Sequence, residues 1–429
     1  MLIETRPARW FSRLSITLLL GMVCGSVSRA QSAAIRLQAG VGGISTQGWS
    51  FKVLHAFKDP KDGLGPGGVI RDSAGNLFGI AGGGDLDCSL NDHGCGVVFK
   101  LSTAGKLTVL HRFDGSQADQ GNPFGSLIQD SSGNLYGTTS GIPLYCGTVF
   151  KLDKQGKESV LYTFTCGPDG GIPLAGLIFD SAGNLYGTTS VGGAFGQGVV
   201  FKVDLHGAES VLYSFTGGND GGGPQAGLVR DSAGNVYGAT MFGGDPNCDQ
   251  GLSCGVIFKL DTKGELTVLH TFTGADGAFP AARLVRDISG TLYGTTLNGG
   301  VLQCNLTGFA GCGVVFKLNT HGKLTVLYKF KGQADGAVPS TDLAKDAAGN
   351  LYGGTGLAGN FNNCAFPGSG CGVVFKLHRN GSESVLHTFT GGPDGGAPGS
   401  LLLGADGNLY GATVLAGAGN AGVVFKLTP

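Results

Sequence analysis

Short apolar runs alternate with polar turn signals along most of the chain. In one stretch, apolar runs at 176–179, 184–189, 199–203 and 210–216 are separated by segments rich in Asp and Gly. The runs favour Val, Leu, Phe, Tyr and Thr, and no window keeps a helical period for more than two turns. This pattern predicts β-strands of four to seven residues, four strands to a unit.

The same unit is repeated along the chain. Three phrases recur seven times in a fixed order, with small variations: G-N-L-Y-G-T-T, G-V-V-F-K-L and V-L-[HY]-x-F. Successive copies of the third phrase begin 51 to 59 residues apart, at Val53, Val109, Val160, Val211, Val268, Val326 and Val385. Seven units of four strands predict an all-β fold, a seven-bladed β-propeller with four-stranded blades. A β-solenoid is the alternative, but solenoid coils usually use shorter repeats.

The phase of the repeat predicts how the ring closes. We name the strands of each blade A to D, from the central axis to the rim. The chain opens on a lone D strand at 53–57 and closes on A, B and C strands at 401–403, 408–413 and 423–427. We therefore expect the N-terminal strand to complete the last blade from outside, which removes the open end of the ring.

The first thirty residues resemble a signal for export. Arg6, Arg9 and Arg13 precede an apolar run, and the segment ends at Ala30 with small residues at the −3 and −1 positions of a cleavage site. We predict a signal peptide at 1–30, a linker at 31–50 and the propeller at 51–429. The mature protein should then be secreted or periplasmic and have no membrane span. An uncleaved membrane anchor is the alternative.

Cleavage after Ala30 would leave ten cysteines, an even number in an exported chain. Eight of them form close pairs between B and C strands and predict local disulfides: Cys88–Cys95, Cys248–Cys254, Cys304–Cys312 and Cys364–Cys371. Cys146 precedes strand C of its repeat and Cys166 follows strand D, so antiparallel neighbours should bring them together as a fifth disulfide. A zinc site built from the close pairs is disfavoured, because their spacings vary and they lie in different repeats.

Loop lengths separate the two faces of the predicted ring. The A–B and C–D connections are short and nearly constant, whereas the B–C and D–A connections carry almost all the length variation and all ten cysteines. Binding residues concentrate in loops that a rigid scaffold positions. The face formed by the B–C and D–A loops is therefore the candidate binding surface.

The D–A loops share the motif D-x-x-x-P. Its aspartates are Asp62, Asp119, Asp169, Asp220, Asp276, Asp335 and Asp394. Seven carboxylates around a ring could bind calcium or the hydroxyl groups of a sugar. Turn chemistry is the favoured explanation, because the motif occurs in every unit whereas a specific site is usually unique. We assign no metal site and no cofactor from the sequence.

The first repeat adds an acidic cluster of its own. Asp85, Asp87, Asp92 and His93 lie within or beside the Cys88–Cys95 loop on the candidate binding surface. These residues complete our set of candidate ligand-binding positions. They are also the first suspects if the protein hydrolyses a sugar, because glycosidases use a pair of carboxylates.

No catalytic motif appears in the chain. H-E-x-x-H, G-x-S-x-G and the P-loop are absent, and the one G-x-G-x-x-G, at 417–422, precedes a strand instead of opening a helix. Histidine and tyrosine exchange at the third position of V-L-[HY]-x-F, which indicates packing: His55, His111, Tyr162, Tyr213, His270, Tyr328 and His387. We assign no catalytic residue and expect a protein without enzymatic activity.

Composition and charge limit the classes of partner that we expect the protein to bind. The net charge is −1, charged residues make up 14% of the chain, and no basic stripe is visible, so we expect no nucleic-acid partner. Glycine accounts for 82 of 429 residues without a triplet period, which excludes collagen. We expect a monomer.

The ordered phrases G-N-L-Y-G-T-T, G-V-V-F-K-L, V-L-[HY]-x-F and D-G-x-x-P resemble the tandem repeat called GloVer, found in exported proteins with varied surface anchors. The resemblance covers about Val53 to Leu427. It implies an extracellular repeat protein and supplies no catalytic residues to carry over. More loosely, D-x-x-G-N-L-Y-G-T is similar to a motif of sensor-domain propellers, which agrees with the strand phase given above.

These observations favour a binding or scaffold module that acts through the variable loop face, with a polysaccharide or a protein as its ligand. A propeller hydrolase or lyase that acts on a carbohydrate or a lactone is the second hypothesis, and it rests on analogy of fold alone. A structural protein of the envelope or matrix is the third.

Overall fold

The structure is a computed structural model that describes residues 48–83, 95–141, 145–248, 251, 253–304, 306–361, 364 and 369–429. The predicted signal peptide and most of the predicted linker lie outside these residues. So do Asp85, Asp87, Cys88, Asp92 and His93.

The described chain is all β apart from one short 3-10 turn at Pro60–Asp62. Its strands are β1 (Ser50–Ala56), β2 (Leu64–Arg71), β3 (Leu77–Gly82), β4 (Val97–Leu101), β5 (Leu107–Arg112), β6 (Pro123–Gln129), β7 (Leu135–Thr139), β8 (Thr148–Leu152), β9 (Glu158–Thr163), β10 (Ile178–Phe179), β11 (Leu185–Thr189), β12 (Val199–Val203), β13 (Glu209–Ser214), β14 (Val229–Arg230), β15 (Val236–Thr240), β16 (Val256–Leu260), β17 (Leu266–Thr271), β18 (Val285–Arg286), β19 (Leu292–Thr296), β20 (Val314–Leu318), β21 (Leu324–Lys329), β22 (Ala344–Lys345), β23 (Leu351–Gly354), β24 (Val373–Leu377), β25 (Glu383–Thr388), β26 (Gly396–Leu403), β27 (Leu409–Leu415) and β28 (Val423–Thr428). Among the described residues, no helix has the length and apolarity needed to cross a membrane.

The strands form seven antiparallel four-stranded sheets, the blades of a β-propeller. Blades one to six are β2–β5, β6–β9, β10–β13, β14–β17, β18–β21 and β22–β25, each in sequence order. The seventh blade has the order β26-β27-β28-β1 from the axis outward, so the N-terminal strand is its outermost strand. Both the predicted fold and the predicted closure of the ring are confirmed.

The third strand of each blade is the centre of the hydrophobic core. Its sequence, V-V-F-K-L or a close variant, is buried at every position except the lysine. A strand that is covered on both faces by neighbouring blades must be apolar on both faces, which explains the unbroken run. Three of these lysines extend over an aromatic ring of the second strand: Lys100 over Phe78, Lys151 over Tyr136 and Lys376 over Tyr352.

Phenylalanine pairs join each blade to the next. The Phe that ends V-L-[HY]-x-F packs edge-on against the Phe of the third strand in the following blade, with ring centroids 5.0 Å apart for Phe164 and Phe201. All seven seams contain such a pair. A glycine of the second strand makes room for the ring: a Cβ at Gly187 would lie 2.5 Å from Cζ of Phe201.

The innermost strands are shorter than the sequence pattern predicts. Strands of at least four residues were expected, yet in blades three to six only two residues of this strand form a ladder. The preceding residues approach the neighbouring blade instead: a Cβ at Gly176 would lie 2.8 Å from the carbonyl oxygen of Ser126. Crowding around the axis therefore replaces strand pairing at the start of these strands.

The connections differ between the two ends of the ring. Every A–B and C–D turn between described strands has five residues, as in 180–184 and 204–208, whereas the B–C loops run from 416–422 in blade seven to 355–372 in blade six. The long loops are closed at their bases, as by the bridge between Gly243 and Ser253. They also pair with the neighbouring D–A loop, as Val191 does with Gly171.

Four of the predicted disulfides are present: Cys146–Cys166, Cys248–Cys254, Cys304–Cys312 and Cys364–Cys371. The first links the start of a C strand to the end of the neighbouring D strand, as the phase of the repeat predicted. Cys95 is also disulfide-bonded, while Cys88, its predicted partner, lies outside the described residues.

Candidate functional site at the seams between blades

The predicted aspartates of the D–A loops lie beside the His or Tyr of the preceding outer strand. The hydroxyl of Tyr162 donates to Asp169 at 3.0 Å, and Nε2 of His270 lies 2.8 Å from Asp276. The corresponding contacts recur at Tyr213–Asp220, Tyr328–Asp335 and His387–Asp394. The exchange of His and Tyr therefore preserves a polar contact to an aspartate as well as packing.

The same carboxylates also order their own loops. The backbone N–H of Thr216 donates to Oδ2 of Asp220 at 2.8 Å, and the hydroxyl of Thr216 donates to Oδ1. Equivalent threonines bind Asp169, Asp276 and Asp394. In these loops both carboxylate oxygens are engaged by the protein, which is the turn chemistry favoured by the sequence.

At the seam between the last and first blades, Asp62 faces His55. Burial lowers the pKa of His55, while the negative charge of Asp62 opposes that shift and Lys58 adds to it. Nε2 of His55 is buried and makes no hydrogen bond. This seam keeps the histidine and the aspartate of the repeat without the tight contact seen at His270.

Outer strands of neighbouring blades are linked through the C–D turns. In blades one to six this turn lies against the outer strand of the preceding blade, and in blade two a Cβ at Gly156 would lie 2.5 Å from the carbonyl oxygen of Leu110. A β-bulge in the outer strand, placed at Leu212 in blade three, strengthens its twist. As a result, the first residue of an outer strand meets the aspartate of the preceding D–A loop.

In the seam between blades one and two this geometry brings together His111, Asp119 and Glu158. Nε2 of His111 lies 3.2 Å from Oδ2 of Asp119 and 3.6 Å from Oε2 of Glu158. Each side chain is mostly buried, and Nε2 of His111, Oδ1 of Asp119 and Oε1 of Glu158 make no hydrogen bond. The seam therefore contains three buried polar atoms without a hydrogen bond, one on each of three side chains that lie in contact.

Electrostatics at this seam are dominated by negative charge. Burial, followed by the negative charge of Asp119, raises the pKa of Glu158 to about 7. Burial alone would lower the pKa of His111, but the contact with Asp119 and the charge of Glu158 outweigh it and raise that pKa. The cluster can hold a proton or bind a cation.

Two other seams contain a glutamate at the position of Glu158. Burial raises the pKa of Glu209 to about 7, with a further contribution from Asp169, and burial raises the pKa of Glu383 to about 7, with a further contribution from Asp335. The position of His111 is occupied by tyrosine in both seams. The remaining seams have Leu or Phe where the glutamate lies.

The opposite end of the ring has its own repeated aspartates. In the A–B turns, Asp180 accepts hydrogen bonds from the backbone and side chain of Asn184 and from the hydroxyl of Tyr186. Burial opposes any fall in the pKa of Asp180, but these hydrogen bonds outweigh it and the pKa is lowered. Basic residues of the following blade lie over the same tyrosines, as Arg230 does over Tyr186.

The raised pKa values of the seam glutamates and the lowered pKa values of the turn aspartates predict how the stability of the fold depends on pH. The folded state holds the proton on Glu209 and Glu383 up to about pH 7, whereas the unfolded chain releases it near 4.5. The folded state therefore binds more protons between these values, and the free energy of unfolding should fall as the pH rises from about 4.5 to 7. The turn aspartates act in the opposite sense at low pH, where stability is lost as they become protonated.

Urea denaturation at pH 5 and pH 8 checks this prediction. Between pH 5 and pH 8, the free energy of unfolding should fall much less in the double variant Glu209→Gln, Glu383→Gln than in the wild type. Glu265→Gln is the control, because Glu265 lies one position before the outer strand β17 and is exposed, whereas Glu209 and Glu383 are the first residues of their outer strands. An unchanged pH dependence in the double variant would contradict the prediction.

The sequence matches a known repeat family over most of its length. The family described as the Gloeobacter/Verrucomicrobia repeat matches residues 40–190 and 175–366. The chain belongs to this repeat family. Among curated proteins, none matches the chain in sequence.

Solved structures similar to this member of the repeat family are propellers of varied function. A streptogramin B lyase is 15% identical, with a TM-score of 0.56, and the match covers 89% of this chain and 97% of the lyase. An inactive variant of virginiamycin B lyase from Staphylococcus aureus, bound to quinupristin, is 13% identical, with a TM-score of 0.57 and coverage of 89% and 99%. The extracellular domain of a hybrid two-component system from B. thetaiotaomicron is 13% identical, with a TM-score of 0.54 and coverage of 90% and 42%. At these identities the likeness shows the fold alone.

Sequence reasoning placed Asp119 among the candidates but missed Glu158. It assigned the C–D turn and the D–A loop to opposite faces of the ring, and Glu158 follows a C–D turn. One signal was available. Among the copies of V-L-[HY]-x-F that contain His, only the copy at Val109 is followed by a copy with Glu two residues before its Val. The same copy at Val109 also has the longest separation, eight residues, between its His and the following loop aspartate.

Proposed function

We propose that this protein is an exported binding module that recognises a polysaccharide or a protein through the tips of its B–C loops. The extracellular domains of a hybrid two-component system and of a one-component system from B. thetaiotaomicron have a similar fold, and this chain belongs to a repeat family. The disulfides support a location outside the cytoplasm, because the cytoplasm keeps thiols reduced.

The observation that carries this proposal is the contrast between loop bases and loop tips. The bases are tied by backbone bridges, and the B–C loops of blades four, five and six contain disulfides. The loops nevertheless differ in length from blade to blade. A rigid scaffold with blade-specific tips is the arrangement by which repeat folds build a recognition surface.

Exposed apolar side chains occur at these tips. Phe195, Leu302 and Phe361 lie in the B–C loops of blades three, five and six, and they are 60%, 49% and 44% exposed. Contiguous patches of exposed apolar groups mark contact surfaces, so the proposal requires these tips to act together on one ligand. Aromatic residues in particular contribute strongly to binding.

The experiment that tests this proposal is a screen of the purified exported chain against glycans, polysaccharides and envelope proteins, with reaction products assayed in the same wells. We expect at least one ligand to bind without being converted. The triple variant Phe195→Ser, Leu302→Ser, Phe361→Ser should weaken that binding at least tenfold.

Ile288→Ser is the matched control, because Ile288 is a fully exposed apolar residue in an A–B turn at the other end of the ring. It should bind as the wild type does. Unchanged binding by the triple variant would contradict the loop surface. Formation of products would favour a propeller hydrolase or lyase over a binding module. If neither binding nor product formation occurred with any ligand, a structural role would be favoured.

A further inference from the structure

We propose that His111, Asp119 and Glu158 bind one divalent first-row transition-metal ion, such as Zn²⁺, at the seam between blades one and two. The proposal is independent of the ligand that the loop tips recognise. The ion would tie together three segments: the outer strand β5, the D–A loop that follows it, and the outer strand β9 of the next blade.

The distances suit such an ion. One ligand atom from each residue can be chosen so that all three lie within 4.8 Å of one another. Nε2 of His111 lies 3.2 Å from Asp119 and 3.6 Å from Glu158. Ligands held at about 2.0–2.2 Å in a tetrahedral arrangement lie roughly 3.3–3.6 Å apart, so the spacing already approaches that of a zinc site.

Unsatisfied atoms point to the same conclusion. Each of the three side chains has a buried nitrogen or oxygen atom without a hydrogen bond. Buried polar atoms without a partner are costly, and clusters of them call for an explanation such as a bound ion. A cation bound to Nε2 of His111 and chelated by both oxygens of the Asp119 and Glu158 carboxylates would engage all three of these atoms.

In the D–A loop of this seam, Asp119 lacks a hydrogen bond that the corresponding aspartates accept in four other loops. In four other loops a threonine hydroxyl binds the repeated aspartate. The corresponding residue here is Asp114, which offers Asp119 only its backbone N–H, at 3.2 Å to Oδ2. Oδ1 of Asp119 is left without a hydrogen bond, and the replacement adds a further carboxylate nearby.

The charges around the cluster favour a cation. Those that act on His111 come from Glu158, Asp119 and Asp114, and all are carboxylates. The side chain of Arg112, the nearest base along the strand, is directed to the carbonyl oxygen of Lys61 instead. One imidazole and two carboxylates suit zinc, manganese or iron better than calcium, which prefers six to eight oxygen ligands.

The other seams provide natural comparisons for the same position. Tyr162 with Asp169 and Glu209 keeps the two carboxylates without the imidazole, and His270 with Asp276 keeps the imidazole and one carboxylate. Among the described residues, only the seam of His111 combines all three groups. It is therefore a unique site within a repeated architecture.

Calorimetric titration of the untagged, disulfide-intact chain with Zn²⁺, after treatment with a chelator, tests the proposal. We expect one ion per chain. His111→Tyr and Glu158→Leu should each raise the dissociation constant at least tenfold, and both introduce residues that other seams already accommodate. His270→Tyr is the matched control and should bind Zn²⁺ as the wild type does.

Titration with Co²⁺ gives a second measurement, because its visible absorption reports the ligands. The spectrum of a bound ion should appear in the wild type and in His270→Tyr, and should be lost in His111→Tyr. If the wild type takes up no Zn²⁺, or if His111→Tyr and Glu158→Leu bind it as tightly as the wild type, the cluster is a network of shared protons and the proposal is wrong.

Discussion

Replacing Phe215 with alanine should lower the free energy of unfolding by about 3–5 kcal/mol, the loss typical of a fully buried aromatic ring. Phe215 is completely buried between blades three and four, and its ring centroid lies 5.2 Å from that of Phe258. Phe258 in turn lies against Gly238, where an added Cβ would come within 2.6 Å of the ring. The cavity could not be closed by a small adjustment, because the neighbouring ring is fixed from its other side.

Chemical denaturation of the disulfide-intact protein measures this loss. Phe195→Ala is the matched control, since it removes the same ring from a residue that is 60% exposed, and its stability should change by less than about 0.5 kcal/mol. A loss in Phe215→Ala no greater than in Phe195→Ala would mean that the phenylalanine pairs do not hold the blades together.

The phenylalanine pairs illustrate what the sequence could predict. The phrases that contain Phe201 and Phe164 recur seven times in a fixed order, so the strands, their number and the closure of the ring followed from counting. The Cys146–Cys166 disulfide followed from strand order alone. Such predictions succeed because they depend on which strands are neighbours, and antiparallel pairing fixes that.

The meeting of His111 with Glu158 depends on the twist of the blades, which strand order does not contain. The outer strand is rotated by the accumulated twist of the sheet and by its own bulge, so the start of one outer strand lies beside the end of another. A diagram with two flat faces places these residues at opposite ends of the molecule. Strand order alone therefore could not predict that His111 and Glu158 meet.

The contacts between the loop aspartates and the His or Tyr residues could be predicted only in part from the sequence. Both motifs were visible in every unit, and imidazole and phenol can both donate a hydrogen bond to a carboxylate. The sequence separation between the partners varies, however, from Asp276 and His270 to Asp119 and His111. Without a constant spacing, the exchange of His and Tyr was attributed to packing alone.

Removal of β1 should destabilise the whole ring, even though only one of the twenty-eight strands in the described residues is lost. β1 pairs with β28 along its length, and Phe51 stacks on His387 of blade six at 3.8 Å. Phe57, which directly follows β1, is completely buried and packs against Phe99 of blade one at 5.3 Å. The segment therefore contacts three blades, and the loss of Phe57 alone should cost about 3–5 kcal/mol.

A chain that begins at Lys58 tests this expectation by chemical denaturation beside a chain that begins at Gln31. A peptide of residues 48–57 added in excess should restore stability in proportion to the logarithm of its concentration, because it binds only the folded ring. It would add a strand to the exposed edge of β28. The same peptide carrying Phe51→Ala and Phe57→Ala is the matched control and should restore little. Equal denaturation midpoints for the two chains would show that the ring does not depend on closure by its N-terminal strand.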